Sequence, residues 1–68
     1  MYINISVNGE TKQVPTGQTV AALVNEMALA DGRIAVEVNQ EIVPRSLYAA
    51  HALHAGDRVE VVTAIGGG

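Results

Sequence analysis

With 68 residues the chain has room for one domain, and a domain of that size buries only about 60% of the surface its unfolded chain exposes, so its stability is modest. Hydrophobic residues make up 49% and charged residues 16%, too apolar and too weakly charged a mixture to stay disordered. There is no cysteine, which excludes disulfides, a thiolate nucleophile and cysteine-ligated zinc or iron–sulfur sites, and fits a reducing cytoplasm.

The formal net charge is −3, and Lys12, Arg33, Arg45 and Arg58 are scattered rather than gathered into the basic face that a nucleic acid requires. Two tyrosines, Tyr2 and Tyr48, are too few for a base-stacking platform. The chain opens on alternating residues instead of a basic stretch and an apolar run, and no segment approaches the ~20 apolar residues of a membrane span. The expectation is a cytoplasmic protein, a monomer when free, with no nucleic acid and no membrane among its partners.

Met1, Ile3, Ile5 and Val7 alternate with Tyr2, Asn4 and Ser6, the period of a strand with one face on a core. Asn8-Gly9 supplies the positive φ angles of a type I′ turn, so Glu10 to Val14 is expected to return antiparallel. Thr11, Lys12 and Gln13 suit a sheet edge. After Pro15-Thr16-Gly17, Gln18 or Thr19 caps a helix whose Val20, Leu23, Val24 and Met27 fall on one stripe. Asp31-Gly32 is expected to end that helix.

Ile34, Val36 and Val38 alternate as a third strand, and Ile42-Val43 is a short extended piece stopped by Pro44. Ala49, Ala50 and Ala52 suggest a helical turn or two within Arg45 to Leu53. Ala55-Gly56-Asp57 is a turn. Val59, Val61 and Thr63 then form one face of a final strand, with Glu60 and Val62 on the other. The order ββαββ calls for an α+β fold in which one main helix packs on one face of a mixed four- to five-stranded sheet. A right-handed crossover sets the first and last strands side by side and parallel, which is the β-grasp, or ubiquitin-like, arrangement. The expected division is a domain over 1–65 and a flexible glycine tail over 66–68.

Gly66, Gly67 and Gly68 close no turn and cap no helix. Lacking side chains, they suit a chain end that threads through a gap too narrow for other residues. From Ala64 to Gly68 an extended segment reaches roughly 16–18 Å, enough to carry the Gly68 carboxylate deep into a partner. That carboxylate, with a pKa of about 3.5, is an anion without a leaving group and must be activated, for instance as an acyl-adenylate, before a sulfur nucleophile can attack it. Nothing in the chain supplies a nucleotide site, so activation belongs to another protein. Read without function, the three glycines are an inert tail or a fusion scar.

The chain resembles the ThiS family, the sulfur carriers of thiamine thiazole biosynthesis. The resemblance rests on Asn8-Gly9-Glu10, Gly17-Gln18-Thr19-Val20, Val38-Asn39-Gln40-Glu41-Ile42-Val43-Pro44-Arg45, Gly56-Asp57-Arg58-Val59-Glu60 and the closing Gly67-Gly68. It implies that Gly68 is adenylated by a ThiF-like adenylyltransferase and converted to a thiocarboxylate, with sulfur coming from cysteine through a desulfurase or a related carrier. A ThiG-like thiazole synthase would receive the sulfur. It also implies that the chain is a carrier rather than an enzyme, that it holds no cofactor, and that ATP and magnesium belong to the activating partner.

The remaining candidates carry less. His51 and His54, at i and i+3, are two ligands short of a closed metal site, and the carboxylates form no acid–base pair in a cleft, so neither a metal site nor catalytic residues are expected. Arg45 has an apolar stem suited to covering hydrophobic surface. Val62 and Ile65, on the outer side of the last strand close to the tail, are the candidate docking residues. Competing readings are a small subunit of molybdopterin synthase, MoaD-like, which shares the fold and the Gly-Gly end, and a ubiquitin-like modifier joined through Gly68 to lysines. This chain is short for the former and has Val62-Thr63-Ala64-Ile65 where that family has a proline-rich approach.

Overall fold

Asn8-Gly9 does turn the chain back on itself. A computed structural model describes residues 1–29 and 32–63, and in it β1 (Tyr2–Val7) and β2 (Glu10–Pro15) pair antiparallel from Tyr2↔Pro15 to Val7↔Glu10. Asn8 and Gly9 have φ of 51° and 86°, the left-handed values that match the twist of the flanking strands. The helix α1 (Val20–Glu26) follows, then β3 (Ile34–Val38), β4 (Glu41–Val43), a single 3₁₀ turn over Arg45–Leu47, and β5 (Arg58–Thr63). Among the described residues the sheet has five strands in the order β2-β1-β5-β3-β4. β5 lies in the centre, parallel to β1 and antiparallel to β3. The fold is a β-grasp, as the ββαββ pattern predicts.

The strands' period of two places Ile5, Val7, Val14, Val36, Val38, Val43, Val59 and Val61 on the side that meets the helical stripe of Val20, Leu23 and Val24. Each such fully buried aliphatic side chain stabilises the fold by roughly 1.5–3 kcal/mol before conformational entropy is set against it. Tyr48 and Leu53 close the core from the segment between β4 and β5.

That segment has a structural task its irregular sequence conceals. The first turn of α1 leaves main-chain N–H groups without helical partners. The carbonyls of His51 and Tyr48 accept from Val20 and Ala21 at 2.9 and 3.0 Å, and the Thr19 hydroxyl accepts from Ala22 at 3.1 Å. Thr19 is thus the N-cap, and Leu53 in return donates to the Gln18 carbonyl at 2.7 Å. The helical turn between Arg45 and Leu53 falls at Arg45–Leu47, before the alanines that suggested it, and Ala52 instead forms a β-bridge with Thr19.

The helix is shorter than its sequence suggests. It ends at Glu26, with Met27 as C-cap, rather than at Asp31-Gly32; Asp31 lies outside the described residues. Ala28 takes φ 62°, its N–H donates to the Asn25 carbonyl and that of Leu29 to the Val24 carbonyl, each at 3.0 Å. This is a Schellman closure with alanine at the position glycine usually occupies. The stop arises because Met27 and Leu29 fold back on the core, which overrides the local preference for a glycine end.

Candidate functional site

β5 leads toward Gly68, so its anchorage defines the site. β1 reaches only as far as Val59 in its pairing with β5, while β3 accompanies β5 to Thr63, opposite Ile34. Two asparagines, each the first residue of a turn with positive φ, complete the hold on this strand. Asn8 donates its main-chain N–H to the Val59 carbonyl at 2.9 Å. Its side-chain Oδ1 accepts from the Val61 N–H at 2.8 Å and its Nδ2 donates to the Val61 carbonyl at 3.3 Å. Asn39 donates its N–H to the Arg58 carbonyl at 2.7 Å, accepts from the Arg58 N–H at 3.0 Å, and donates to Asp57 Oδ1 at 3.1 Å. Asp57 Oδ2 in turn accepts from the His54 N–H at 2.8 Å. Sequence reading identified Asn8 as a turn residue and missed both clamps. The recurring Asn at the head of a strand-to-strand turn was the available signal.

The side of the sheet away from α1 is open. Val62 stands there, 60% exposed, beside Ala35, and Ile42 is 62% exposed. Between them, Glu37 and Glu60 face each other directly across β3 and β5. Directly opposed like charges destabilise a strand pair, and among the described residues neither carboxylate has an ion-pair partner. Val62 therefore occupies the exposed position expected of it. Ile65, Gly66, Gly67 and Gly68 lie outside the described residues, as does the boundary between 1–65 and 66–68.

The other polar residues serve the scaffold. His51 is half-buried with its carbonyl on the helix, and the exposed His54 ring sits 4.0 Å from Asp57. Among the described residues no group of three or more His, Cys, Asp or Glu side chains could hold a metal ion. Arg45 does more than cover apolar surface: its Nη2 donates to the Gly32 carbonyl at 2.7 Å, tying the 3₁₀ turn to the chain that enters β3. Lys12 reaches from the edge strand to Glu26 at the helix end, 3.0 Å away. The Lys12 hydrogen bond and charge, aided by Gln18, hold the Glu26 carboxyl below its ordinary 4.5. No helix among the described residues is long and apolar enough to cross a membrane.

A central parallel pair, one covering helix and a last strand clamped just beyond the end of β1 define a small domain of the ubiquitin-like class. The ThiS family model matches residues 4–68, and the chain belongs to that family. It is 33% identical over 66 residues to the sulfur carrier protein ThiS of Escherichia coli, covering 97% of this chain and 100% of that one. It is 42% identical over 66 residues to a thiazole synthase of Paramagnetospirillum magneticum, covering 97% of this chain but 20% of that protein. The chain thus spans about a fifth of that protein's length, and the same share of a thiazole synthase of Magnetococcus marinus, to which it is 38% identical. The crystal structure of the thiamine biosynthesis protein ThiS from Geobacter metallireducens superposes with a TM-score of 0.83 at 30% identity, covering 97% of this chain and 100% of that one.

Proposed function

We propose that this chain is the sulfur carrier of thiamine thiazole biosynthesis and that the Gly68 carboxylate is the group that carries sulfur. The observation that supports this most is the family match over residues 4–68, which includes the closing glycines. A carboxylate oxygen of Gly68 attacks the α-phosphorus of ATP in a ThiF-like adenylyltransferase, and pyrophosphate leaves. Sulfide then displaces AMP from the acyl-adenylate to give the thiocarboxylate. Where a persulfide on the donor protein takes the place of sulfide, a thiol opens the resulting acyl disulfide and becomes oxidised to a disulfide. ATP and magnesium are held by the activating enzyme, which supplies the charge stabilisation that a transferring phosphoryl group needs. The chain is a co-substrate in this scheme and not an enzyme.

The acceptor in this reading is a ThiG-like thiazole synthase. Similarity of the chain to a fifth of two thiazole synthases supports a working association between the two functions. Gly66 and Gly67 lead Gly68 through the partner's channel, where the absence of side chains allows a close approach. Val62, with Ile65, docks the open sheet face, and the opposed Glu37 and Glu60 favour a partner that brings a lysine or arginine between apolar side chains.

Intact-mass measurement after incubation with ATP, magnesium, the activating enzyme and sulfide tests the reading. Exchange of one oxygen for one sulfur, absent when Gly68 is deleted, is the expected result. Chain-sized adducts on other proteins would instead identify a modifier, and an unchanged mass a passive module.

A further inference from the structure

The Asn8 side chain makes two hydrogen bonds that its turn does not need. A type I′ turn asks its first central residue only for positive φ, which Asn, Asp and Gly all tolerate. The clamp on Val61 asks for something else. β5 continues past the end of β1, so the Val61 N–H and C=O on that side have no strand to pair with. The carboxamide of Asn8 stands in for the missing peptide group, accepting at 2.8 Å and donating at 3.3 Å. Aspartate could accept but would turn an oxygen toward the Val61 carbonyl, and glycine offers neither group.

We infer that Asn8 is a positioning residue for the chemistry at Gly68: by gripping Val61, seven residues before Gly68, it fixes the course of β5 beyond the end of β1, where β3 alone accompanies the strand to Thr63. The inference rests on the reading of Gly68 proposed above. Transfer to an activated carbonyl requires reacting atoms held roughly 3–3.5 Å apart, and small misplacements lower the rate steeply. A strand whose last turn-side hydrogen bonds are missing delivers its end over a wider range of directions.

Asn39 provides the internal control. It holds the opposite end of the same strand, at Arg58, with a comparable set of bonds. It too has positive φ, 53° against 51° for Asn8, so Asn8→Gly and Asn39→Gly both keep their turns and both lose two side-chain hydrogen bonds. The Asn8 bonds are partly buried and the Asn39 bonds exposed, so a purely structural contribution lowers stability more in Asn8→Gly but leaves the kcat of the folded protein unchanged. Of the two asparagines, only Asn8 holds the half of β5 nearer Gly68.

The full-length chain and both variants are assayed for thiocarboxylate formation by intact mass, with ATP, magnesium, a ThiF-like adenylyltransferase and sulfide, over a range of carrier concentrations. The inference predicts that Asn8→Gly lowers kcat on the order of tenfold with KM within about twofold, while Asn39→Gly keeps both within about twofold. Amide exchange at Val61 is faster in Asn8→Gly and unchanged in Asn39→Gly. Asn8→Asp, which retains the turn and the acceptor, falls between Asn8→Gly and the parent and carries the test if the glycine variant does not fold. An undiminished kcat in the Asn8 variants, or equal losses in the Asn8 and Asn39 variants, overturns the positioning role alone. A parent chain that gains no sulfur overturns the reading of Gly68 and this inference with it.

Discussion

Replacing Ala28 by glycine should stabilise the domain, although glycine ordinarily weakens helical segments. Ala28 has φ 62° at the close of α1, where its Cβ crowds the neighbouring carbonyl at a cost of roughly 1–2 kcal/mol. Glycine removes that cost but loses about 0.4–1 kcal/mol through the greater freedom of the unfolded chain. The residue is exposed, so almost no packing is lost with the methyl group. The net gain is about 0.5–1 kcal/mol. For a domain of this size 1 kcal/mol moves Tm by about 4–8 °C, so Ala28→Gly is expected to melt about 2–8 °C above the parent. Thermal unfolding followed by circular dichroism reads this directly, with urea denaturation checking that the slope m is unchanged. An equal or lower Tm at unchanged m would refute the argument that Ala28 is strained.

Two further predictions concern charge and docking. Glu26 should titrate below its ordinary 4.5 in the folded protein because Lys12 is beside it, and Lys12→Met should return it toward that value, as seen by carboxyl NMR titration. Since folding lowers this pKa, the pair's stabilising effect is present above the unfolded value and is lost as pH falls through the folded one; salt weakens it throughout. Val62→Asp, at a position 60% exposed, should cost about 1 kcal/mol or less in folding. It adds a third carboxylate to the face that bears Glu37 and Glu60, and should raise the KM for thiocarboxylate formation about tenfold or more. A parent-like KM in a folded Val62→Asp protein would remove Val62 from the docking surface.

Where local chemistry and tertiary packing agree, the fold is legible in the residues. The alternation through Ile3, Ile5 and Val7, the Asn8-Gly9 turn and the stripe of Val20, Leu23 and Val24 each demand one structure, and each forms it. Legibility fails where packing overrules a local signal. Gly32 looks like the natural end of α1, yet the helix stops at Glu26 and closes through Ala28 because Met27 and Leu29 return to the core. The stretch from Arg45 to Leu53 shows no period because it contributes carbonyls rather than a side-chain stripe, and carbonyls leave no trace in sequence. The clamps of Asn8 and Asn39 were hidden for a related reason: apart from the Asp57 carboxylate, their targets are main-chain groups of β5, up to 53 positions away. At the site, the outward position of Val62 follows from strand alternation. The direct confrontation of Glu37 and Glu60 depends on the β3–β5 register, which no single strand reveals.

Tandem mass spectrometry of the sulfur-loaded chain tests the central claim most directly, because it locates the sulfur as well as detecting it. The account predicts that the exchanged atom resides in C-terminal fragments and follows Gly68 as those fragments shorten. Sulfur on any fragment that lacks Gly68, or its persistence after Gly68 is deleted, would contradict it.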